Sequence, residues 1–210
     1  MLSVNQSTGE LFLYGVVGAS WFEDSFSSTD VIQALASIGT KRAIVRINSP
    51  GGVADEGIAI YNAIKRHAAG ADTHVDALAA SAASVIALAG ESRTTSAGGR
   101  WMIHRALTIE IGNATALRKT ADTLETYDKS LVEIYSKYLA SGTDVMGLLE
   151  AETWYTGPEA MDAGLSTAVG GATDAKPTVA SWFRNPPAAL VQQSVRSNVA
   201  YLARAKQFRR

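Results

Sequence analysis

The sequence predicts an α/β domain: a mostly parallel sheet covered by helices. Three observations predict it. Short apolar runs ending at turn residues alternate with stretches of helical spacing, the pattern of βαβ units, whose right-handed crossovers build parallel sheets. The 210 residues are 47% hydrophobic and 19% charged, which supplies one sizeable core and is too apolar for a disordered chain. No run approaches the ~18 consecutive apolar residues of a membrane span.

Taken in order, residues 11–17 (LFLYGVV) are aromatic and β-branched, closed by Gly18, and read as a strand. Ser28–Asp30 offer a cap for a helix over 31–38. Residues 43–47 (AIVRI) form a short buried strand that stops at Asn48-Ser49-Pro50-Gly51-Gly52, a dense turn signal. Ile58, Tyr61 and Ile64 or Ala63 give roughly helical spacing over 54–67. A third strand is expected at 75–78, an Ala-rich helix over 79–89 stopping at Gly90, and another strand at 101–103. Over 114–140, Leu117, Ala121, Leu124, Tyr127, Leu131, Ile134 and Leu139 recur at spacings that favour a long amphipathic helix. Its length suggests that it projects and packs against another subunit. Shorter helices are expected at 144–150 and 158–163, the second stopped by Gly164.

Charge divides the chain. From Lys176 to Arg210 there are seven Lys or Arg and no acid, whereas residues 1–175 carry 12 basic and 20 acidic side chains. Together with Gly170-Gly171 as a weak linker, this suggests a domain over 1–171 and a basic tail over 172–210. Val191, Val195, Val199 and Leu202 fall on one face of a basic amphipathic helix over 190–208. The N-terminus, MLSVNQSTGELFLYG, has no basic n-region or long apolar h-region, which argues against a secretory signal. With no cysteine, disulfides, thiolate metal sites and cysteine nucleophiles are excluded.

Candidate chemistry is sparse. The histidines are His67, His74 and His104. His67 follows Lys65 and Arg66 at a helix end, where a cation complements the dipole. His74 sits between Asp72 and Asp76 and reads as a solvated strand edge. His104 follows the strand at 101–103, where ligands bind in open α/β sheets, and reads equally as a structural hydrogen-bonder or a catalyst. Ser81, in Leu78-Ala79-Ala80-Ser81-Ala82-Ala83-Ser84, lies at a strand-to-helix passage. Such a turn exposes a hydroxyl near helix N-terminal amides, although Ala/Ser-rich helices also serve as close-packing surfaces. The Gly-x-Ser-x-Gly elbow is absent. Gly51-Gly52 would let backbone N–H groups approach a substrate, but no Gly-Lys-Ser/Thr follows, so a phosphate loop is excluded.

Three segments, Ile47-Asn48-Ser49-Pro50-Gly51-Gly52, Ala79-Ala80-Ser81-Ala82-Ala83 and Met102-Ile103-His104, together resemble the proteolytic subunit of Clp protease. The resemblance is closer still to the ClpP-like head-maturation (prohead) proteases of tailed phages. It covers about residues 10–170, with motifs in the family's order, and Glu152-Thr153-Trp154-Tyr155-Thr156-Gly157-Pro158 resembles the last catalytic segment. The resemblance implies a ClpP/crotonase-like fold of repeated ββα units with a long handle helix. It implies a serine endopeptidase, with Ser81 as nucleophile, His104 as general base and the backbone N–H groups of Gly52 and Ala82 as oxyanion hole. The third position, usually Asp, falls on Glu152; Glu150 and Asp162 compete for it. No cofactor or metal is implied. The implied assembly is a stack of rings, with the handle helix at ring contacts. A handle strand, at 109–111 and 115–117, would align peptide by β-addition. Implied partners are protein substrates, capsid or scaffold proteins among them, in the host cytoplasm or inside the prohead, with no membrane. The short N-terminal stretch argues against docking an unfoldase. The basic tail lies outside the resemblance and suits an acidic partner or, as the one route to nucleic acid, packaged DNA.

Other readings are a cytoplasmic Clp-like protease of general degradation, a Ser/Lys hydrolase, a crotonase-type acyl-CoA enzyme and a silent capsid scaffold component. Before the handle the only lysines are Lys41 and Lys65, neither expected near Ser81, and no CoA-binding signature is recognisable.

Overall fold

The structure, a computed structural model, describes residues 1–20, 24–171 and 183–187. Ten strands and six helices are arranged in it as an α/β fold. Strands β1 (Leu2–Asn5), β2 (Glu10–Tyr14), β5 (Ala43–Ser49), β6 (Ala71–Ala80), β7 (Arg93–Thr95) and β10 (Ala168–Val169) run side by side in that order. All these pairings are parallel except β1 with β2. The long β6 forks the sheet: Thr73–Val75 pair with β7, whereas Leu78–Ala80 pair with β8 (Arg100–Ile103), which carries β9 (Thr153–Thr156) antiparallel on its far side. Two short strands, β3 (Val16–Val17) and β4 (Ser25–Phe26), pair apart from this sheet.

Helices α1 (Ser28–Ile38), α2 (Ala54–Lys65) and α3 (Ala82–Ala87) follow successive strands. Helix α1 starts where Ser27 and Asp30 form a reciprocal capping box, each satisfying an orphan N–H of the other. Helix α2 lacks a side-chain cap; Asp55 and Glu56 in its first turn complement its dipole. Alternation along β2 and β5 turns Leu11, Leu13, Ala43, Val45 and Ile47 onto one face, where they meet Val31, Leu35, Ile60 and Ile64 in one buried cluster. Helix α4 (Ala114–Tyr135) is capped by Asn113, then come α5 (Val145–Glu150) and α6 (Gly157–Ala163). Gly164 ends α6 in the left-handed conformation (φ 91°) that favours glycine.

Several elements differ from the sequence expectation. The strand expected over 11–17 breaks at Gly15, whose φ of 101° leaves the ladder. Ala79 and Ala80 belong to β6, not to a helix: paired in register with Trp101 and Met102, they are held extended by the sheet against their helical propensity. His74 lies on interior strand β6, between Arg46 of β5 and Thr94 of β7, not at an edge. The long helix ends at Tyr135 and includes Thr115–Leu117, so these residues form no handle strand; 109–111 are likewise outside any strand. The helix expected over 190–208 lies outside the described residues.

Candidate active site

The site forms where β6 and β8 end. Their register pairs Ala80 with Met102, so the chain beyond each strand emerges at the same edge. Ser81 follows β6 at once and turns sharply into α3, with φ 54° and ψ −128°, a conformation L-residues adopt only under constraint. Two hydrogen bonds supply that constraint: Ser81 N–H donates to the Met102 carbonyl (2.9 Å) and the Ser81 carbonyl accepts from Ser84 N–H (2.9 Å). His104, two residues past Met102, places Nε2 2.7 Å from Ser81 Oγ. With Nδ1 protonated, Nε2 accepts the serine proton.

The turn at 50–52 packs against this pair because it lacks side chains. A Cβ on Gly51 would stand 2.6 Å from the Ala80 carbonyl oxygen and from Ser81 Cβ. One on Gly52 would stand 2.1 Å from the Val17 carbonyl oxygen. Val17 N–H donates to Gly51 (2.8 Å) and Val53 N–H to Val17 (2.9 Å), which fixes the peptide bearing the Gly52 N–H between them. Ala82 opens α3, so its N–H has no intrahelical acceptor. Ser81, His104, Gly52 and Ala82 line one cavity of about 470 Å³, whose walls include Val17, Val53, Val85, Leu124 and Leu131.

His104 is buried, and burial lowers its pKa below the usual histidine range; the Glu152 charge acts the opposite way, and the nearby Arg184 cation adds to the lowering. Glu152 sits between α5 and β9 with φ 51° and is 2% exposed. Its carboxylate accepts from Arg184 N–H (2.8 Å), Asn185 N–H (2.6 Å) and Trp154 Nε1 (3.3 Å). Among the described residues no hydrogen bond joins it to His104; the two interact through charge. The structure therefore brings Ser81, His104, Gly52 and Ala82 together, and sets Glu152 nearby with its hydrogen bonds directed elsewhere.

The competing acids stand apart from this arrangement. Glu150 is exposed and pairs with Arg105 (2.6 Å), and Asp162 is exposed on α6. His67 Nε2 lies 2.7 Å from the Lys41 carbonyl oxygen at the surface. Lys41 and Lys65 are exposed and outside the cavity wall. Among the described residues no cluster of His, Asp and Glu is placed to hold a metal ion, and no helix is long and apolar enough to cross a membrane.

Two groups escaped the sequence reading. Asp128 of α4, buried at 1% exposure, accepts from Arg105 Nε (2.7 Å) and Ala106 N–H (2.8 Å) and so pins the chain just past His104. Its signal was an acid in line with Leu124, Leu131 and Tyr135 on the apolar face. The Arg184 and Asn185 amides carry no local signal, since backbone donors look alike in every sequence.

Comparison with known proteins identifies a family and a fold. The Clp protease family model matches residues 13–172. The ATP-dependent Clp protease proteolytic subunit 1 of Protochlamydia amoebophila is 33% identical over 153 residues, which cover 68% of this chain and 73% of that protein. Proteolytic subunit 2 of Treponema denticola is 32% identical over 166 residues, covering 76% and 80%. A solved ClpP1 point mutant from Listeria monocytogenes superposes with a TM-score of 0.66 over 80% of this chain and 95% of that one, and at 21% identity it speaks to the fold alone. The matched family, the sequence relatives and the shared fold converge: this chain belongs to the Clp protease family.

Proposed function

We propose that this member of the Clp protease family is a serine endopeptidase with Ser81 as nucleophile and His104 as general base. The carrying observation is the 2.7 Å Ser81–His104 hydrogen bond at a constrained turn facing an apolar cavity. A serine hydroxyl attacks a peptide carbonyl only as a base removes its proton. His104 Nε2 takes that proton and returns it to the leaving amine. Burial favours neutral imidazole, the form that accepts. The Gly52 and Ala82 N–H groups stabilise the tetrahedral oxyanion, each donor contributing ~10²–10³ in rate. Glu152 is the orienting acid of this scheme: once its carboxylate accepts from Nδ1, it fixes the tautomer and stabilises imidazolium.

The substrates of this reading are phage capsid or scaffold proteins, cleaved in the host cytoplasm or inside the prohead by rings of this chain. Its support is the resemblance of the segments around Gly52, Ser81 and His104 to prohead proteases, together with the basic, acid-free stretch from Lys176 to Arg210. The relatives' naming as ATP-dependent Clp proteolytic subunits favours a second reading, general protein degradation. A fluorophosphonate probe should label Ser81 in wild type and not in Ser81→Ala. Mass spectrometry of digests should then show a few defined cuts in capsid or scaffold proteins. Dispersed cleavage of unrelated unfolded proteins would favour degradation, and absent labelling would defeat the enzymatic reading.

A further inference from the structure

Segment 183–187 returns to the site from beyond the family motifs. Phe183 is 7% exposed and packs on Leu78, Ala80, Met102 and Trp154, its ring edge-on to Trp154 at 5.2 Å between centroids. The next two residues each turn a backbone N–H onto Glu152: Arg184 donates to Oε2 and Asn185 to Oε1, at 2.8 and 2.6 Å. Further bonds from Arg184 Nη2 to the Glu150 carbonyl (3.3 Å) and Asn185 Nδ2 to the Ala151 carbonyl (3.5 Å) fasten the segment to the chain just before Glu152. Each carboxylate oxygen thus accepts a short charge-assisted bond of the stronger kind from this segment. None of residues 183–187 lines the cavity beside Ser81.

We propose that residues 183–187 form an autoinhibitory strap, which when docked holds the Glu152 carboxylate off His104 and when released lets it accept a hydrogen bond from Nδ1. Docked, the site is a Ser81–His104 dyad; released, it is a triad. The inference rests on the catalytic roles assigned above. The direction follows from the bonding: the bonds from Arg184, Asn185 and Trp154 hold the carboxylate in an orientation that makes no hydrogen bond to His104. The strap leaves the cavity open, so it governs turnover and not substrate entry.

The test uses the full-length chain and a short fluorogenic peptide. Asn185→Pro deletes the backbone donor to Glu152 and the side-chain donor to Ala151 without touching the core, and Phe183→Ala removes the anchor. Each should raise kcat about tenfold or more, the scale on which an orienting carboxylate acts, with KM within about twofold. Glu152→Gln added to Asn185→Pro should abolish the gain, because the strap acts only through that carboxylate. If wild type cleaves the peptide and labels with fluorophosphonate, yet Asn185→Pro leaves kcat unchanged or lowers it, the strap is not inhibitory. A gain that survives Glu152→Gln also overturns it. If wild type and Asn185→Pro neither label nor cleave, the catalytic reading itself has failed. Should Phe183→Ala not fold, Asn185→Pro decides alone.

Discussion

Ser84 Oγ, one turn along α3 from Ser81, lies 2.6 Å from the Tyr135 hydroxyl while donating its own proton to the Ser81 carbonyl at 2.6 Å. Tyr135 must therefore be the donor in that pair, and the buried Ser84 is structural. Ser84→Ala should leave the Tyr135 hydroxyl buried without its acceptor and cost ~1–3 kcal/mol in urea unfolding, with most peptidase activity retained. Ser81→Ala should fold normally and cleave nothing. The reverse pattern would mean that the nucleophile has been misassigned.

Ser81 and Glu152 are the non-glycine residues with positive φ among those described; Ser81 lines the cavity and Glu152 acts on His104 through its charge. Strain of this kind costs on the order of 1–3 kcal/mol and glycine relieves it. Both Ser81→Gly and Ser81→Ala should be inactive, but Ser81→Gly should be the more stable by about 1 kcal/mol, the strain relief outweighing glycine's extra unfolded-state entropy. Equal urea midpoints would show that the turn stores no strain.

Activity should reach below the pH range of an ordinary histidine base. Burial lowers the His104 pKa, and the base works when neutral, so the acid limb of kcat/KM should fall below pH ~6.5. Arg184→Ala removes a cation that lowers it, so the limb should move to higher pH. Glu152→Gln removes an anion that raises it, so the limb should move lower. A pH–rate series on the three proteins checks both signs; a shift in the same direction for both variants would contradict this electrostatic picture.

The length of α4 implies packing against another subunit, its apolar stripe of Leu117, Leu124, Leu131 and Ile134 being shared between that contact and its own core. Leu131 and Ile134 are buried within the chain, Leu124 lines the cavity, and Leu117 is 45% exposed. Ile109 and Ile111, just before the helix, are 92% and 94% exposed. Apolar surface buried between subunits stabilises by ~25 cal/mol per Å². In the proposed ring, Leu117→Glu should lower the sedimenting mass while leaving the fold intact; it is a cleaner probe than Leu124, which touches the site. A wild-type chain that sediments as a monomer at micromolar concentration would rule out the ring.

The sequence alone determined the fold class, a mostly parallel sheet covered by helices, and a strand-to-helix passage near Ser81. Those rest on local signals: the stop at Asn48–Gly52, the capping residues around α1 and the small side chains beside Ser81. Its motifs, through family resemblance, also named Ser81 with His104 before their contact was visible. What only the tertiary structure decided depends on pairing between distant segments. Ala79 and Ala80 are extended because β8 pairs with them, against their helical propensity. Asp128 matters because α4 packs beside the loop after His104. Glu152 bonds to Arg184 and Asn185 because residues 183–187 return to it from more than thirty positions downstream, through amides that every residue but proline carries.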